Sequence, residues 1–92
     1  GVHSEIKKDN IFGYVAHLKY EGKTLLNNRY KDHFLHKKTL IQAVVDRDIF
    51  IIENKLPHRR NFTDLELFAN MKYLAYDNIN TLKELLENKV NK

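Results

Sequence analysis

Along Ile11 to Tyr20, "IFGYVAHLKY", apolar and polar positions alternate: Tyr14, Ala16 and Leu18 fall on one side, Val15, His17 and Lys19 on the other. A two-residue period is that of a strand with one buried face, and here the other face is basic. Glu21-Gly22-Lys23 reads as a turn, glycine supplying the positive φ that tight hairpins need. Thr24 to Tyr30 then returns as the partner strand. Upstream, Val2 to Ile6 reads as a third strand, joined through a Lys7-Lys8-Asp9-Asn10 turn.

Past residue 37 the period changes. Lys38-Thr39-Leu40-Ile41-Gln42 reads as a helix start, with the Thr39 hydroxyl and the Gln42 side chain as the reciprocal partners of a capping box. Leu40, Ala43, Val44, Arg47, Phe50, Ile51 and Asn54 follow at helical spacing, so one helix is expected from 40 to about 54. Ile49 to Ile52 is β-branched enough to form a strand instead, and periodicity does not separate the two over so short a run. Thr63-Asp64-Leu65-Glu66 is a second capping box. It opens a helix to about Tyr76 with Leu67, Phe68, Met71, Leu74 and Ala75 on its apolar face. A third start, at Thr81 or Asn80, leads a last helix carrying Leu82, Leu85, Leu86 and Val90. The expected fold is α+β: a three-stranded antiparallel sheet packed on one helix, followed by a C-terminal helical hairpin.

Ninety-two residues make one domain with a modest core. A chain opening at Gly1 reads as an excised domain. Without cysteine, disulfides and thiolate metal sites are excluded, and the longest apolar run, Ile49 to Ile52, is far too short to span a bilayer. The net charge of +4 is unevenly placed. Residues 1–62 carry twelve Lys/Arg against seven Asp/Glu, whereas residues 63–92 carry four against five. A basic excess of this kind suits a polyanionic partner.

Candidate chemistry narrows the field. Gly22-Lys23-Thr24 echoes the end of a P-loop, but the glycine required five positions earlier is His17, so the phosphate cradle is missing. Ser4 is the only serine and has no evident base partner, and the carboxylates are scattered among lysines, so no enzyme signature is present. His33-x-x-His36 has a spacing two imidazoles can use on one metal, yet zinc needs more ligands than these two. Lys37-Lys38 and His58-Arg59-Arg60 read as solvated loop charge or as phosphate contacts. No metal or cofactor is called for.

The ordered set resembles the Apetala-2/ethylene-response-factor DNA-binding domain, in its lysine- and asparagine-rich apicomplexan form, over about residues 1 to 62. It rests on Gly1-Val2 opening the first strand, Tyr14-x-Ala16-x-Leu18 in the second, Gly22-Lys23 at the hairpin and Tyr30 eight residues on. Gln42-Ala43 and Asp48 suit the ends of the helix, with Arg47 where the family has tyrosine, and Asn61-Phe62 falls at the terminal Asn-Phe. "KDHFLHKK", 31 to 38, is longer than in the compact form, and His3 and Glu5 replace the usual first-strand arginines. The resemblance implies a nuclear transcription factor whose sheet reads the major groove of double-stranded DNA, residues 63–92 being a helical extension of the same domain. It implies DNA contacts from His3, Glu5, Lys7, His17, Lys19, Lys23, Thr24, Leu26, Asn28, Arg29 and Lys31. The rival reading is a protein-interaction module, with Ile49–Ile52 a strand and a homodimer formed through Leu67, Met71 and Leu74 of the C-terminal helices.

Overall fold

In a computed structural model, which describes residues 1–7 and 10–90, and side chains among them except at 6, 7, 10, 11 and 88–90, β1 (Val2–Lys7), β2 (Asn10–Tyr20) and β3 (Lys23–Lys31) form one antiparallel sheet in the order β1-β2-β3. The expected turn between β1 and β2, and the side chain of Lys7, lie outside the described residues. Glu21 and Gly22, both at positive φ (51° and 77°), make the two-residue β2–β3 turn. Tyr20 pairs with Lys23 across it, so Lys23 is the first residue of β3 rather than part of the turn. Two successive positive φ values match the right-handed twist of the strands, and glycine is at home in the second position.

Strand register assigns every side chain to a face, because directly paired residues point the same way. Ser4, Tyr14 and Tyr30 are paired across the three strands, as are Val2, Ala16 and Asn28, and Leu18 pairs with Leu26. On this face Ala16, Leu18 and Leu26 are buried. Helix α1 (Lys37–Glu53) is tied to the sheet at three places. The Tyr30 hydroxyl donates to Asp46 Oδ2 at 2.6 Å, the Tyr14 hydroxyl to the Leu35 carbonyl just before the helix at 3.1 Å, and Arg47 Nε to the His17 carbonyl at 3.3 Å. Burial first, then the hydrogen bond to Asp46, pushes the Tyr30 phenol well above its ordinary value. The fold class expected from the alternation is the one found.

Residues 40–53 are helical throughout, so Ile49 to Ile52 is not a strand. The helix nevertheless begins at Lys37, three residues before the expected start at Leu40, because another residue organises its first turn. The Asp32 carboxylate accepts from the His36 amide at 2.7 Å and the Phe34 amide at 3.1 Å, while the Thr39 hydroxyl bonds to Asp32 instead of capping. A carboxylate that accepts from otherwise unpartnered amides at a helix entrance does the work of a local cap. Burial raises the Asp32 pKa, but hydrogen bonds from Thr39, His36 and Phe34 outweigh it and hold the carboxyl at about 2.

The chain divides into two compact units within α1, Gly1–Arg47 and Asp48–Lys92. In the second, Asp48 is fully buried and accepts from the amides of Asn61 at 2.9 Å and Phe62 at 2.8 Å, closing the loop that follows α1. Buried polar groups of this kind are stable only when so paired. The Thr63/Glu66 capping box is formed and opens α2 (Asp64–Tyr73). Helix α3 (Ile79–Val90) packs on α2 and starts before both expected caps, Asn80 and Thr81. Leu67, Met71 and Leu82 are buried, which removes the first two from the surface expected for a dimer.

Candidate nucleic-acid interface

The other face of the sheet carries His3, Glu5, Gly13, Val15, His17, Lys19, Thr24, Asn27, Arg29 and Lys31 by the same register: His3–Val15–Arg29, Glu5–Gly13–Lys31, His17–Asn27 and Lys19–Thr24. His3, Lys19, Thr24, Asn27, Arg29 and Lys31 are exposed, while Glu5 and His17 are half-buried. His17 and Lys19 thus project from the face opposite Tyr14, Ala16 and Leu18, as the alternation predicts. Among the described side chains this surface carries three Lys/Arg (Lys19, Arg29 and Lys31), two imidazoles (His3 and His17) and one carboxylate (Glu5). The unit that bears it, residues 1–47, carries nine Lys/Arg against five Asp/Glu; residues 48–92 carry seven of each.

In β3 the expected set is partly wrong, and the cause is a bulge. Leu18 pairs with Leu26 but Lys19 with Thr24, so Leu25 is an extra residue opposite the β2 strand. One inserted residue exchanges the faces of everything beyond it. Thr24 stays on the exposed face, whereas Leu26, expected to contact DNA, turns to the helix side and is only 8% exposed. Asn28 follows it, and its side chain bonds to the Tyr30 phenol on that side. Lys23 has the parity of Tyr20, hence of the helix side, although it stands exposed at the hairpin end. Asn27 takes the outward place that Leu26 and Asn28 lose. The adjacent pair Leu25-Leu26, which breaks the alternation, is the sequence signal for that shift.

Two glycine and acidic positions shape the surface. Gly13 has φ +141°, and a Cβ built there would lie 1.8 Å from the Tyr30 carbonyl oxygen, so no other residue fits without displacing backbone. Near it Glu5 Oε2 lies 3.5 Å from Arg29 Nε, and a recess of about 450 Å³ opens beside them, with Val15 in its lining. The 31–38 segment follows directly from β3. His36 Nδ1 is 2.9 Å from Asp32 Oδ1, the His33 ring lies 6.1 Å from that of Phe12, and Phe34 is exposed. The two imidazoles singled out by spacing therefore have separate neighbours. No protein-family model matches the chain, and neither a curated protein nor a solved structure matches it.

Proposed function

We propose that the chain is a sequence-specific double-stranded DNA-binding domain of a nuclear transcription factor, using the exposed face of its sheet in the major groove. The observation that carries this reading is the sorting of side chains on β2 and β3. Apart from Val15, which is buried on the outward face, packing groups point to α1, while His17, Lys19, Asn27, Arg29 and Lys31 point away from it. A two-stranded ribbon fits the width of the major groove, and alternate side chains then meet base edges or phosphates. Arginine pairs with guanine through two hydrogen bonds, and lysines on the same surface neutralise phosphates. The Apetala-2/ethylene-response-factor resemblance supports the same use, and Asp48 bonded to the Asn61 and Phe62 amides links three of the residues on which it rests. Chemistry without a cofactor suffices for such binding.

Selection from a random-oligonucleotide pool tests the proposal. A convergent duplex sequence, bound saturably and with an affinity that falls by a slope of about 0.9 per phosphate contact in log–log salt titration, is the expected result. A pool that never converges, with no binding even at low salt, contradicts it.

A further inference from the structure

The Glu5–Arg29 pair is out of place on a surface meant to meet phosphates. A carboxylate there repels a polyanion, and an exposed ion pair with one side chain 72% accessible adds little to stability. Its geometry is also unusual. Glu5 pairs with Gly13 and Arg29 with Val15, so the two side chains reach diagonally across the central strand, from one outer strand to the other. The outer strands are roughly 10 Å apart, two inter-strand spacings. Val15, paired with Arg29, lies on the same face and is buried there.

We propose that Glu5 and Arg29 together read one C·G base pair, Arg29 donating to the guanine and Glu5 accepting from the cytosine. The proposal rests on the DNA-binding reading above. In the major groove guanine offers two neighbouring acceptors, O6 and N7, and its partner cytosine offers the N4 amine as a donor. A guanidinium beside a carboxylate is the complementary pattern. An A·T pair has no two adjacent acceptors on one base for a forked donor, so the match is to C·G alone. Because the contact with Glu5 is made through Nε, the two terminal nitrogens of Arg29 are left for the guanine. At 3.5 Å the contact is an ion pair rather than a short hydrogen bond, which leaves the lone pairs of Glu5 open to the cytosine amine. The recess beside the pair, lined also by Lys31, gives the base edge room to approach.

Anisotropy titrations of the selected duplex, its single-base-pair variants and a scrambled duplex test this with the wild type, Glu5→Gln and Arg29→Ala. The wild type is expected to discriminate at least about tenfold at one C·G pair. Glu5→Gln reduces that discrimination several-fold at the same pair, while binding to scrambled DNA is unchanged or tighter because a negative charge is gone. Arg29→Ala weakens binding to the selected duplex and loses its preference at that pair. A wild type that is sequence-specific, with Glu5→Gln retaining discrimination at every pair or the two variants relaxing different pairs, overturns the joint reading and leaves the DNA-binding proposal standing. A wild type with no preference among duplexes overturns both.

Discussion

The two faces of the sheet are built from the same strands and obey opposite rules. On the helix side, Ala16, Leu18 and Leu26 are buried and the Tyr14 and Tyr30 hydroxyls each have a fixed acceptor. On the other side, Lys19, Thr24, Asn27, Arg29 and Lys31 are exposed, and the glutamate there is paired across the sheet. One face is specified by volume and hydrogen bonding; the other, apart from the buried Val15 and the constrained Gly13, takes its places by parity with the first. The difference teaches that in this chain binding chemistry inherits its position from packing. An error of one residue in the packed face moves the whole candidate contact set.

The comparison can be broken most severely at Gly13, where both faces depend on one backbone conformation. Gly13→Ala places a methyl group against the Tyr30 carbonyl in a region of φ that alanine avoids. Urea unfolding should show a loss of about 3 kcal/mol or more, a large fraction of the total stability of a domain of this size. Tyr30→Phe strikes the packed face alone. It removes the donor to Asp46 and should cost about 1.5–3 kcal/mol, with duplex binding by the folded fraction retained.

The same tyrosine gives the packed face a pH signature. Its pKa in the folded chain is raised above the unfolded value of about 10, so the folded state holds the proton longer. That contribution is complete below pH 10 and is lost as pH rises further. Tyr30→Phe should flatten the alkaline limb of the stability profile. Asp32 acts in the opposite sense. Its pKa, lowered from 3.8 to about 2, gives stability that is present above about pH 4 and lost as pH falls toward 2. Thermal melts of Asp32→Asn should show a shallower decline over that interval than the wild type.

The smallest expected effect separates stability from binding. Lys55 (φ 51°) and Ala75 (φ 62°) follow α1 and α2 in the left-handed conformation. The amides of Leu56 and Tyr76 reach back to the carbonyls of Ile51 and Met71, and those of Lys55 and Ala75 to Ile52 and Lys72, an arrangement that favours glycine at the left-handed position. Lys55→Gly and Ala75→Gly should each stabilise the chain by about 0.5–1 kcal/mol in urea titrations. DNA affinity should stay level.

Much of the packed face was legible because its signal is local. Tyr14-x-Ala16-x-Leu18 fixes the parity of β2, Glu21-Gly22 marks the reversal, and Thr63 with Glu66 marks a helix start three residues wide. What escaped depends on residues distant in sequence. The α1 entrance is set by Asp32, seven residues before the threonine that looked like its cap, and the need for glycine at position 13 arises from the carbonyl of Tyr30 in another strand. The exposed face was legible on β2 and misassigned in β3, since a bulge at Leu25 leaves only two adjacent leucines as its trace. Arg29 and Lys31 kept their outward places, and Leu26 and Asn28 did not.

The most direct test of the central claim sets Lys19→Glu against Lys23→Glu on the selected duplex. Both variants change the net charge equally, both lysines are exposed, and they belong to opposite faces by register. Binding through the outward face predicts a loss of well over tenfold for Lys19→Glu and a much smaller one for Lys23→Glu. Equal losses would mean that general basic charge attracts the duplex, and unchanged affinity for Lys19→Glu would contradict the proposed face outright.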